Sequence, residues 1–166
     1  MEASSKEARE LAWISRAYFD AARFLVDSMY EDEFPDSPHR NRVPLYLCHH
    51  SLELLYKAVL LAAGKPCPKT HNIGVLRTAC LQFEDCRFPI PKWLGGEQPQ
   101  TADIFEDLPT MYFENLHERY RYVSDVKGRP LQSAPEVSVH EMIEEISALN
   151  KASAPAFIRI AWRTEN

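Results

Sequence analysis

One stretch constrains this chain more than any other. Between Leu45 and Ala63 apolar side chains run almost without interruption. Cys48, Leu52, Leu55, Val59 and Ala62 recur at three-and-four spacing and form one helical stripe. Leu47, Leu54, Ala58 and Leu61 form a second stripe beside it. Only a narrow polar strip remains: His49, His50, Glu53 and Lys57. A helix so apolar around its circumference belongs in the middle of a structure, packed on two or more sides. It does not read as a membrane span, because each charge at mid-bilayer costs about 3 kcal/mol on insertion scales. The helix is expected to begin near Arg42, with Pro44 in its first turn, where a missing N–H does no harm. Gly64 stands where a left-handed cap ends a helix, with Pro66 just beyond.

Helical periodicity covers most of the remaining chain. A first helix is predicted over about 5–30, capped by Ser4 or Ser5, with Leu11, Ile14, Tyr18, Ala22, Leu25 and Met29 on its inner face. Residues 31–41, with Pro35 and Pro38, form a loop. A third helix follows Thr70-His71-Asn72, with Ile73, Leu76, Cys80 and Phe83 on one face. A fourth helical region covers about 102–123 and is interrupted at Pro109. The fifth has the best start signal, Ser138 with Glu141 three residues on, a capping box, and Val137 with Met142 placed as a staple. Its inner face is Met142, Ile143, Ile146 and Leu149, and Pro155 ends or kinks it before a further turn at 157–162. Long loops that are functional or mobile are expected at about 84–100 and 124–137. The expected fold is therefore all-α, an up-and-down bundle of about five helices in a single domain over 1–166.

At 166 residues, 45% apolar and 26% charged, the chain needs no disulfide or metal to build a core. A net charge of −5 excludes a uniformly basic nucleic-acid coat but not a local basic patch. The opening residues are polar, without the apolar run of a secretory leader. Cys48, Cys67, Cys80 and Cys86 are accordingly expected as reduced thiols in a cytoplasmic protein.

Several side chains admit both a structural and a functional reading. The pairs His49–Glu53 and Glu53–Lys57 at i,i+4 support a helix by about 0.2–0.5 kcal/mol each. A polar strip on a buried helix also needs a polar destination, and Lys57 could face an anion across a dimer groove. His71 could cap or orient the third helix, or meet a ligand at its N-terminus. Between Leu116 and Pro130 four basic residues, Arg119, Arg121, Lys127 and Arg129, stand against two acidic ones, with Tyr120 and Tyr122 interleaved. Arginine forks bind phosphate and tyrosine faces stack on bases, while the same residues also suit a solvated helix end. No metal site is expected: Cys67, His71, Cys80 and Cys86 lack a close cysteine pair. No cofactor is expected either, since the five glycines form no phosphate-cradling loop.

The run from His50 to Gly64, a Glu- and Lys-bearing helix closing on a glycine, then Lys69-Thr70-His71-Asn72-Ile73, then Glu118-Arg119-Tyr120-Arg121-Tyr122, together resemble the HEPN family of small helical bundles. The resemblance spans about 11–152. It implies a homodimer, and a module binding a nucleotide or RNA phosphate through Lys57, His71, Arg119 and Arg121, with Tyr122 stacking. It also brings expectations of a toxin–antitoxin or defence setting and a nucleotidyltransferase-type partner. Many members of the family are metal-independent ribonucleases with an Arg-x(4–6)-His motif late in the bundle. Here Arg119 and Arg121 have no histidine at that distance downstream, and His117 precedes them. A literal match, Arg42-x6-His49, sits instead at the start of the second helix. The alternatives are therefore a ribonuclease using Arg42 or Arg121 with His49 or His117, or a structural subunit whose apolar patch takes another protein.

Overall fold

The structure, a computed structural model, describes residues 2–31, 38–94 and 137–162. Four α-helices are present among them: α1 (Glu2–Glu31), α2 (Pro38–Ala62), α3 (Ile73–Cys80) and α4 (Val139–Ala161). Two short 3-10 turns lie at Glu84–Cys86 and Lys92–Leu94. No strand occurs among the described residues, and the helices form an all-α bundle. The helical region expected at 102–123, the loop at 124–136 and the end of the loop at 95–100 lie outside the described residues.

The apolar helix α2 is central and touches α1, α3 and α4. Leu45, Cys48, Leu52, Leu55, Tyr56, Ala58, Val59 and Leu60 are all buried. It starts at Pro38, earlier than expected, so Pro44 stands inside the helix rather than in its first turn. It ends as the sequence predicts. Gly64 has φ +65°, Lys65 N–H donates to the Leu60 carbonyl at 2.9 Å, and Gly64 N–H donates to that of Leu61 at 3.0 Å. That pair of bonds satisfies carbonyls the helix end would otherwise orphan, and the left-handed backbone favours glycine.

Helix α1 starts at Glu2, which puts Ser4 and Ser5 in its first turn rather than at its cap. Its most deeply buried stripe lies one residue over from the expected one, whose Leu11 packs partly buried against the core. The buried residues are Ala8, Ala12, Ser15, Phe19, Ala22 and Val26, and Ile14 is 46% exposed. The two stripes are about one residue out of phase and share only Ala22. Small residues let α1 lie close against α2, and the approach is sealed by reciprocal bonds. Ser15 Oγ donates to the Ser51 carbonyl and Ser51 Oγ to the Ser15 carbonyl, both at 2.8 Å. A serine hydroxyl that bonds a backbone carbonyl across the contact finds its partner inside the seam rather than in water.

Helix α4 opens on the expected capping box. Ser138 Oγ accepts from Glu141 N–H at 3.2 Å, and Glu141 Oε2 accepts from Ser138 N–H at 3.0 Å. Val137 and Met142 are both buried, and Asn41 Nδ2 donates to the Val137 carbonyl at 2.7 Å, tying the start of α4 to α2. Met142, Ile146, Leu149, Ser153, Ala156 and Ile160 form the buried face. The helix continues through Pro155 to Ala161 without a break. The stretch between α3 and residue 94 is fastened by Cys86, Phe88, Ile90, Trp93 and Leu94, all buried. Arg159 of α4 clasps Asp85 in a bidentate pair, Nε–Oδ2 at 2.5 Å and Nη2–Oδ1 at 3.2 Å. No helix among the described residues is long and apolar enough to cross a membrane.

Candidate functional site

The polar strip of α2 does have a polar destination, and its centre is Glu53. The residue is only 2% exposed on an otherwise apolar helix. A carboxylate out of water is costly unless charges and hydrogen bonds replace its solvation. Three basic side chains do so. Lys57 Nζ, one turn on, donates to Glu53 Oε1 at 2.6 Å. His71 Nδ1, eighteen residues away in the chain, stands 3.0 Å from both carboxylate oxygens. His50 Nδ1 lies 3.4 Å from Oε2.

Local sequence explains how His71 gets there. Asn72 is the N-cap of α3: its Oδ1 accepts from Val75 N–H at 3.2 Å, and its own N–H donates to Thr70 Oγ1 at 3.0 Å. The cap is therefore Asn72, and His71, held in the turn just before it, is turned onto α2. His50 is set by its ring neighbours. It stacks on Tyr46 at 5.9 Å and meets the edge of Tyr18 at 4.8 Å.

Exposure sorts the cluster. The carboxylate is inside, whereas the Lys57 side chain is 20% and the His71 side chain 56% exposed. The side of the cluster that faces solvent is therefore the basic one, with the acid behind it. Burial alone would raise the Glu53 carboxyl above its ordinary value of 4.5. The hydrogen bonds from His50, Lys57 and His71, with the Lys57 charge, more than offset it and hold the group far below that value. The folded state therefore binds fewer protons at Glu53 than the unfolded chain. The stabilisation is present above about pH 4.5 and is lost as pH falls below it. Thermal unfolding measured from pH 6 to pH 3 is expected to show a midpoint that falls steeply below about pH 4.5, and a shallower fall in Glu53→Gln. Parallel curves would remove Glu53 as the source.

Lys57 and His71, which the sequence offers as separate candidates, converge on one carboxylate. Spacing alone makes Glu53 a helix-pairing residue; the signal for its larger role is an acid on a helix otherwise apolar all round. The expected His49–Glu53 pair is replaced by His50–Glu53, and His49 is 1% exposed. Of the Arg42–His49 motif at the start of α2, His49 is buried and Arg42 half-buried. His117, Arg119, Arg121 and Tyr122 lie outside the described residues.

Among the described residues no group of three or more His, Cys, Asp or Glu side chains is arranged to hold a metal ion. The four cysteines are unpaired thiols. Burial pushes the Cys48 and Cys67 thiols up, and a hydrogen bond with Cys86 together with burial does the same to Cys80. None of these three is poised as a thiolate nucleophile. Compared with known proteins, the chain matches no family model, no curated protein and no solved structure.

Proposed function

We propose that this chain is a HEPN-like, five-helix module that binds the phosphate of a nucleotide or RNA where Lys57 and His71 meet Glu53. The observation that carries the reading is the convergence of those two side chains, from separate elements, on a single buried acid. One carboxylate needs one counter-charge, and Lys57 supplies it. His50 and His71 then add two further ring nitrogens on the same spot, where the acid's charge is already balanced. Anchoring by Glu53 holds the Lys57 ammonium and the His71 ring in place before a ligand arrives, which lowers the ordering cost of binding. The arrangement suits an anion with several acceptor oxygens.

Arg119, Arg121 and Tyr122 enter the same proposal on residue chemistry, as phosphate forks and a stacking ring. A homodimer comes with the reading. The excess apolar surface of α2 is taken up within the chain, so the surface offered to a second copy is the exposed aromatic cluster of α1 and α4. There Trp13 meets Phe157 at 5.1 Å and Trp162 at 6.2 Å, edge to face.

Fluorescence anisotropy with a labelled single-stranded RNA and a labelled mononucleotide tests the site. His71→Ala and the double variant Arg119→Ala/Arg121→Ala are each expected to weaken binding about tenfold or more, the worth of a lost charge-assisted bond, with unchanged circular dichroism. Unchanged affinity in both variants rejects the reading.

A further inference from the structure

A second cleft, away from Glu53, carries two opposite charges that do not neutralise each other. Its volume is about 310 Å³, and its walls are Arg77 of α3, the Pro89-Ile90-Pro91 segment, and Glu145, Ala148 and Leu149 of α4. Among the described residues Arg77 has no carboxylate partner. Its side-chain hydrogen bond there is a long one, Nη2 to the Phe88 carbonyl at 3.4 Å, and its Nε is buried without an acceptor. Glu145 carries no cation among the described residues either; its carboxylate accepts the indole N–H of Trp93. A half-buried guanidinium and a half-buried carboxylate thus line one apolar cleft with no ion pair between them. Each has given up part of its hydration without a counter-charge, a cost that a ligand of matching polarity relieves.

We infer that this cleft binds a free apolar α-amino acid, its carboxylate on Arg77, its ammonium on Glu145 and its side chain against Pro89, Ile90, Pro91 and Leu149. Guanidinium pairs with carboxylate through parallel N–H bonds, and a carboxylate accepts an ammonium, so the two wall charges select for a zwitterion. A compact zwitterion bridges the two charges while the apolar residues of the same cleft take the aliphatic part. The volume lies at the small end for ligand sites, which favours a molecule of amino-acid size over a whole nucleotide. The inference is independent of the phosphate reading, since the two sites share no residue.

Calorimetry and thermal shift on the full chain test it, with L-leucine, L-isoleucine, L-valine, L-methionine and L-phenylalanine as probes. At least one is expected to bind saturably and raise the melting temperature. For that amino acid, the N-acetyl derivative, which lacks the ammonium, and the amide, which lacks the carboxylate, are each expected to bind at least tenfold more weakly. Arg77→Gln and Glu145→Gln weaken it similarly, and His71→Ala leaves it unchanged. The inference is overturned if none of the five binds, if either derivative binds as well as its parent, or if Arg77→Gln and Glu145→Gln both bind as the wild type does. The derivatives act on the wild-type chain, so they discriminate even where a variant fails to fold.

Discussion

Lys57→Met is expected to destabilise the fold at pH 7 by about 3 kcal/mol, although the lysine side chain is partly exposed and the methionine keeps most of its methylenes. The cost is borne by its partner. Glu53 stays buried and loses both its shortest hydrogen bond and the one permanent counter-charge it has among the described residues, and removing one member of a buried pair leaves an uncompensated charge. For a chain of this size that corresponds to a fall in melting temperature of roughly 6–12 °C. The double variant Lys57→Met/Glu53→Gln should recover most of the loss, because the charge that needed a partner is gone. Urea unfolding of the wild type, the single variant and the double variant measures both quantities. A single variant within about 0.5 kcal/mol of wild type, the ordinary range for a surface substitution, would mean the buried carboxylate does not depend on Lys57.

The second large effect concerns the face that α1 buries. Ala12→Leu is expected to cost about 2 kcal/mol, because Ala12 is fully buried and a larger side chain forces the α1–α2 seam apart. Ile14→Ala, two residues along, is expected to cost under about 1 kcal/mol because Ile14 is about half exposed. Denaturant unfolding of the two variants gives opposite rankings for the two candidate faces.

That contrast shows where pattern reading succeeds and where it fails. On α1 two adjacent stripes compete, one through Leu11, Ile14, Tyr18 and Leu25, and one that opens on the small residues Ala8, Ala12 and Ser15 and continues through Phe19 and Val26. Hydrophobic size favours the first. Close approach of two long helices favours the second, and that preference depends on the partner helix, Ser51 included, which a single-helix pattern does not contain. On α2 no such competition exists, because nearly every face is apolar, so its central place is legible. The start of α4 is legible for a local reason: the box between Ser138 and Glu141 closes within four residues. Its continuation through Pro155 is not. Pro155 is exposed, so water can satisfy the carbonyl that the proline leaves unpaired, and the helix persists.

The candidate site is legible in its parts and not in their assembly. Lys57 and His71 stand out as basic groups near an apolar helix and a helix start. Their meeting at Glu53 requires the turn at 64–72 to fold α3 back onto α2, a tertiary event carried by Gly64 and the Thr70–Asn72 cap. Which of two adjacent histidines pairs with Glu53 is equally beyond spacing alone. His49 at i,i+4 and His50 at i,i+3 both reach, and it is His50 that the rings of Tyr18 and Tyr46 hold beside the acid.

The most direct test of the proposed site is a titration of the full chain with a 5′-mononucleotide, followed by the imidazole nitrogen and proton resonances of its six histidines. Saturable shifts are expected at His71 and His50, which share Glu53, while His140 on the outer face of α4 serves as an internal control and stays still. Shifts of equal size at His140, or none at His71 and His50, would contradict a phosphate site at Glu53.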